Sequence, residues 1–200
     1  MEGLKVERPS TFVKISKERI GALIGPDGTV KERIEKRFSI ELQVESETGS
    51  VTIVLTPTAS DPTVLFRVKE VVTAIGSGFS PERAFRLVED EDTVLEVIDL
   101  REVVGKSQSD MKRLKGRVIG KEGKTRRTIE ELTEASVSVF GHTISIIGNI
   151  DQAQAATEAI RMLLRGSLHK TVYGFLHRKR RELKKRKMEL WETPNEKLGV

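Results

Sequence analysis

The chain of 200 residues contains no cysteine. That excludes a disulfide, a thiolate nucleophile and a thiolate metal site. Aromatic residues make up only 4% of it and there are 3 histidines. None of His142, His169 and His177 has a carboxylate or a second histidine at a metal-ligand spacing in the sequence, so they read as turn or surface histidines. Serines are present without a G-x-S-x-G elbow. No catalytic residue, metal or cofactor is expected, and the protein reads as no enzyme. No apolar run approaches the roughly 18 residues of a membrane span. Met1 to Ser10 lacks a signal-peptide core. These absences favour a soluble, cytoplasmic protein without membrane contact. Charged residues reach 32%, and with few Asn and Gln this composition suits a thermophile.

What is present is one short pattern written twice. Ile24-Gly25-Pro26-Asp27-Gly28 is followed by Ile34, and Ile119-Gly120-Lys121-Glu122-Gly123 by Ile129. Gly21 and Gly116 extend the match upstream, and every pair stands 95 residues apart. One G-x-x-G means little, because short motifs recur by chance. Two at equivalent places in similar segments mark a duplicated module.

The net charge of +5 is unevenly spread. Residues 1–80 balance, residues 81–168 net −1, and residues 169–200 net +6. Around the second motif, Gly105 to Thr128 holds nine basic residues against Asp110 and Glu122, whereas Ser10 to Arg33 holds five against three. Cations concentrated at one loop and in the tail point to a polyanionic partner.

Periodicity orders each repeat alike. Phe12 to Ile15 reads as a strand, Ser16 as the cap of a helix through Ile20, Leu23 and Ile24, and Val30, Ile34 and Phe38 as a second helix. Ile40 to Val44 and Val51 to Leu55 read as two strands. Asp61-Pro62 is expected to open a third helix ending near Gly76. In the second repeat Val94 to Leu100 is the first strand, Val137 to Ile146 a hairpin across Gly141-His142, and Asp151 the start of a helix ending near Gly166. Matching Asp61 to Asp151 and Gly76 to Gly166 assigns the first repeat a hairpin turn longer by five residues. Ser80-Pro81 begins a connecting helix, and Glu89 to Asp92 reads as a solvated linker. In the tail, Leu176, Leu183 and Leu190 give a basic helix one narrow apolar seam. It is expected to lie along a polyanion backbone or a protein partner, or else to pack on its own domain.

A helix, a G-x-x-G loop and a helix enclosed by strands in the order βααββα resembles the type I KH domain, a module that clamps about four nucleotides with this loop. The resemblance implies an α+β fold: two type I KH domains, each an antiparallel three-stranded sheet with helices on one face, plus a basic C-terminal helix. The divisions expected are 1–79, a connector 80–92, 93–168 and the tail 169–200. Glycines let a sugar–phosphate backbone approach, and the following helix start offers unpaired amides. Ile119, Gly120, Lys121, Glu122, Gly123, Lys124, Arg126 and Arg127, with Lys115 and Arg117 upstream, form the expected RNA site. Ile119 and Ile129 are read as core residues that shape the loop. Gly25, Pro26, Asp27 and Gly28 form a weaker or purely structural counterpart. Asp27 repels phosphate there and Pro26 removes an amide donor. A P-loop is excluded, because the glycine required five residues before Gly123 is Val118.

Ile75-Gly76-Ser77-Gly78-Phe79-Ser80-Pro81-Glu82-Arg83-Ala84 and Lys115 through Arg127 further resemble the archaeal Dim-two, or partner-of-Nob, family of small-subunit ribosome-assembly factors. That resemblance implies binding near the 3′ end of small-subunit rRNA. It also implies as partners the endonuclease that cuts there and the α subunit of initiation factor two. A monomer is expected. The alternatives are an RNA-degradation adaptor of the exosome-cap kind, which usually brings an S1 barrel for which no stretch remains, and a KH-fold protein scaffold.

Overall fold

The computed structural model describes residues 8–57, 59 and 61–192. The first half runs β1 (Ser10–Lys14), α1 (Ile20–Ile24), α2 (Thr29–Phe38), β2 (Ile40–Glu45), β3 (Ser50–Leu55), α3 (Val64–Gly76) and α4 (Pro81–Glu89). The second runs β4 (Thr93–Asp99), α5 (Leu100–Val104), α6 (Gln108–Ile119), α7 (Lys124–Thr133), β5 (Ser136–Phe140), β6 (Thr143–Asn149), α8 (Ile150–Leu164) and α9 (His169–Glu192). Each half forms an antiparallel three-stranded sheet with its third strand central, in the orders β1-β3-β2 and β4-β6-β5. Alternation along β3 turns Val51, Ile53 and Leu55 into the core, as period-two side chains must. The segment between β4 and the second loop is two helices, α5 and α6. Asp99 caps the first by accepting from Arg101 N at 2.9 Å.

The strand registers correct the sequence matching. Leu42 pairs with Ile53, and its counterpart Val137 with Ile146. The counterpart relation is fixed by a shared contact: Glu35 Oε1 accepts from Leu42 N at 2.7 Å, and Glu130 Oε1 from Val137 N at 2.8 Å. Only two extra residues of the first half therefore lie in the hairpin, and a further five lie between β3 and α3. At the far end of the third helix the matching glycine of Gly166 is Gly78, not Gly76. Gly78 and Gly166 have φ of 101° and 98°, and donate to Ile75 O and Leu163 O at 3.1 and 3.0 Å. The same register matches Asp61 to Asn149. Asp61 makes a turn, accepting from Thr63 N at 2.8 Å, and the helix proper starts at Val64. Asn149, rather than Asp151, is the N-cap of α8, its amide donating to Gln152 Oε1 at 3.1 Å. Ser16 stands at a cap position but its side chain makes no capping bond.

Carried one element further, this register makes α4 the counterpart of α9. Ala84 falls on Val172, Phe85 on Tyr173 and Val88 on Leu176. The connector and the start of the tail are thus one repeated fourth helix, each docked on its own half. Ala84, Phe85 and Leu87 are buried in the first core with Leu23, Ile34, Ile53 and Ile75. Val172 and Leu176 are buried in the second with Val118, Ile129, Ile146 and Leu163. The tail therefore begins inside the second core, and self-packing accounts for its first turns. Leu183 is half-buried, and the side chains of Leu190 and Trp191 lie outside the described residues.

The halves meet across α4. Ile147, on the β6 face away from the second core, joins the first core. Ser138 Oγ donates to Ser77 O at 2.9 Å, and Arg83 lies 3.5 Å from Glu130. The outer face of the first sheet has no such cover among the described residues, and Phe12 is 70% exposed there. The acidic run is exposed, as expected, yet tied down. Asp90 accepts from Asp92 N and Thr93 Oγ1, and Glu89 and Glu91 lie 3.6 and 3.8 Å from Arg37 and Arg67.

Candidate nucleic-acid interface

The two G-x-x-G loops have one backbone. Gly25 and Gly120 adopt φ/ψ of 74°/172° and 71°/179°. Asp27 and Glu122 sit at 50°/25° and 53°/27°, and Gly28 and Gly123 at 79°/7° and 76°/12°. Three breaks from helical geometry at matched positions turn the chain sharply from one helix into the next. The halves differ here only in side chains.

Within each loop the glycines do different work. A Cβ on Gly120 would overlap Thr125 Oγ1 and lie 2.9 Å from Thr125 N; one on Gly25 would lie 2.5 Å from Val30 Cγ2. The first glycine therefore makes room for the protein's own next helix. At Gly123 and Gly28 nothing faces the Cβ position within 4 Å. In the second loop the Cβ side is therefore filled by the protein itself at Gly120 and open at Gly123. The start of α7 lies beside it; its first amide, Lys124 N, donates to Lys121 O, and the next amides have no acceptor within the helix. The carbonyl of Arg117 lies 3.0 Å from His169 Nε2, and Thr125 Oγ1 3.1 Å from the Tyr173 hydroxyl.

The cations of the predicted site divide by what they already hold. Lys121 and Lys124 form no ion pair among the described residues, with Lys121 exposed at the tip. Arg127 donates to the loop carbonyl of Glu122 at 2.7 Å. It braces the turn while leaving charge at its edge. Arg126 lies 3.8 Å from Glu130. Lys115 Nζ donates to Gly141 O at 2.9 Å, tying α6 to the β5–β6 hairpin. Arg117 is half-buried and engaged: Nε donates to Leu163 O at 3.0 Å and a terminal nitrogen to Ser167 O at 2.7 Å. It holds the carbonyl end of α8, where a cation is favoured. Arg19, in the turn just before α1, does the same for α3, through Ile75 O at 2.9 Å and Phe79 O at 2.5 Å. Ile129 is fully buried, as expected, but Ile119 is half-exposed, and Val118 is the core residue before the loop. Ile119 leaves apolar surface beside the glycines.

Around the first loop the cations are engaged. Arg33 stacks on the Phe85 ring, 4.3 Å from its centre. Lys31 and Lys36 lie 3.8 and 2.6 Å from Glu35 and Glu32. Sequence spacing also missed a pair away from the loops: strand pairing brings His142 Nε2 within 3.7 Å of Asp99. The hydrogen bond from Arg101, above all, holds the Asp99 carboxyl below its usual range.

Helix, glycine loop and helix on a three-stranded antiparallel sheet define an α+β protein of KH fold. Residues 94–181 match the family model for the second KH domain of PNO1, described as a eukaryotic-type, type I KH domain. The match includes the first half of α9. A KH domain-containing protein of Methanocaldococcus jannaschii is 47% identical over 185 residues, covering 92% of this chain and 80% of that one. The pre-rRNA-processing protein PNO1 of Saccharomyces cerevisiae is 24% identical over 186 residues, covering 92% and 68%. The crystal structure of Dim2p from Pyrococcus horikoshii is 46% identical with a TM-score of 0.78, covering 86% and 99%. A chain in the a/eIF2alpha–aDim2p–rRNA complex of that organism is 44% identical with a TM-score of 0.81, covering 89% and 97%. The chain belongs to the Dim2/PNO1 family of KH-domain proteins.

Proposed function

We propose that this is a non-enzymatic, single-stranded RNA-binding factor of small-subunit rRNA processing and ribosome assembly. It grips the 3′ region of that rRNA through Gly120 to Gly123. The observation that carries this reading is the pairing of an open backbone with free charge. Gly123 faces empty space, amides of the α7 start lie beside it, and Lys121 and Lys124 flank it without an ion pair among the described residues. Half-exposed Ile119 offers a base an apolar contact. The names of the relatives support the same reading: a pre-rRNA-processing protein, and an archaeal protein crystallised with rRNA.

In this reading the chain carries two KH domains in tandem, each with its own fourth helix. The second loop is the main phosphate clamp. The first keeps the turn and lacks the charge, so it contributes less to phosphate binding. The α subunit of initiation factor two is a proposed partner, since a/eIF2alpha shares a crystallised complex with the Pyrococcus protein. The processing endonuclease is proposed on family resemblance alone.

The test is a labelled single strand from the 3′ region of small-subunit rRNA, titrated against the protein and its Lys121→Ala, Lys124→Ala double variant over a range of salt. Neutralising two phosphate contacts fewer lowers the slope of log affinity against log salt by about 1.4. An unchanged slope, or equal affinity for a scrambled strand, overturns the assignment.

A further inference from the structure

We infer that Tyr173 is a positioning residue for the second glycine loop, holding the first turn of α7 in place through the hydroxyl of Thr125. The inference deepens the proposed RNA clamp and rests on it.

Within the loop, Gly120 N donates to Gly116 O at 2.8 Å, Gly123 N to Gly120 O at 3.3 Å and Lys124 N to Lys121 O, and Arg127 reaches the Glu122 carbonyl. What holds it from behind is α9. Thr125, the second residue of α7, is only 3% exposed, so its hydroxyl needs a protein partner. The Tyr173 hydroxyl lies 3.1 Å away. On the entry side, the Arg117 carbonyl belongs to the last turn of α6, where carbonyls lack helical donors. His169 Nε2 stands 3.0 Å from it. His169 and Tyr173 are one turn apart on α9, their rings edge to face with centres 6.3 Å apart. One face of one helix therefore touches both helices that flank the loop. The Arg117 side chain, bonded to Leu163 O and Ser167 O, fixes the joint from which α9 departs.

The first half supplies an internal comparison. At the matching positions it has Pro81 for His169, Phe85 for Tyr173 and Val30 for Thr125. The helix is kept and both polar contacts are gone. Only the loop with free cations has this polar brace. A loop held in its binding form before RNA arrives avoids the ordering cost on binding. Tyr173 thus raises affinity without adding a phosphate contact.

The experiment uses the full chain with Tyr173→Phe, Thr125→Val and Thr125→Ser. Amide exchange is read without RNA at Gly123 and Lys124, whose amides donate to Gly120 O and Lys121 O, and affinity for the labelled rRNA strand is read against salt. Tyr173→Phe and Thr125→Val are expected to speed exchange at these amides and to weaken binding about fivefold. The salt slope stays as in the parent, and the thermal midpoint falls by no more than about 4 °C. Thr125→Ser, which keeps the hydroxyl, retains parental exchange and affinity. Unchanged exchange in Tyr173→Phe, or weaker binding without faster exchange, overturns the inference. If the parent protein itself fails to bind the strand, the RNA reading falls while the exchange data still decide whether the brace exists.

Discussion

Thr125 occupies the space that a side chain on Gly120 would need: a Cβ there would overlap its Oγ1 and crowd its backbone amide. The same relation holds between Val30 and Gly25. The first glycine of each motif is thus required by packing as well as by its positive φ, whereas Gly123 is required by its φ of 76° alone and leaves its Cβ side open.

Gly120→Ala and Gly123→Ala should therefore part ways. Both place alanine at positive φ, which costs about 1 kcal/mol or more. Gly120→Ala adds the clash with Thr125 and should lower the denaturation midpoint well beyond Gly123→Ala. Urea unfolding of the two variants measures the difference, and equal losses would refute the division of roles.

Arg117 reads from the sequence as an RNA contact, and it is bonded instead to two carbonyls at the end of α8. Arg117→Met should lose about 1–3 kcal/mol of stability, as charged hydrogen bonds do. The salt slope of RNA binding should stay unchanged. A slope reduced as in Lys121→Ala would return Arg117 to the binding surface.

Because the two loops share one backbone, charge alone should convert the weaker one. Replacing Pro26→Lys and Asp27→Glu supplies the second loop's pair in the first loop. This should raise RNA affinity and steepen the salt slope by about 0.7 for one added phosphate contact. Filter binding over a salt series reads both quantities, and an unaltered slope would show that the first loop faces no phosphate.

Asp99 predicts a pH dependence. Its carboxyl is held below the usual range, first by the Arg101 hydrogen bond and further by its backbone bond and His142. A depressed carboxylate contributes stability that is present above the unfolded value, about 3.9. That contribution is lost as pH falls through the lower folded value. Asp99→Asn should match the loss seen in acid, so the gap in thermal midpoint between parent and variant closes as pH drops below about 4. A gap independent of pH would show that Asp99 acts only as a neutral cap of α5.

Much of the fold is legible along the chain. The duplicated motif, the element order within each half and the excess of charge at Lys121 and Lys124 are all local features. The fourth helix of the repeat is present as well, in the spacing of Gly78 with Gly166 and of Ala84-Phe85 with Val172-Tyr173. It is hidden because α4 is 9 residues long and α9 is 24. An insertion between β3 and α3 also shifts the apparent register, so Gly76 falls where Gly78 belongs.

By itself the sequence determined that two helix–loop–helix units exist, and that only one loop carries a basic residue at its tip. Glycine positions, apolar periodicity and side-chain charge act within a few residues, so they can be read along the chain. The tertiary structure decided which basic residues remain free. Lys115 and Arg117 are long side chains whose partners, Gly141, Leu163 and Ser167, lie 26 to 50 residues away. No local pattern encodes such a choice. The same holds for Gly120, whose missing side chain would face Thr125, and for the tail, whose first turns join the second core because Val172 and Leu176 find apolar partners there.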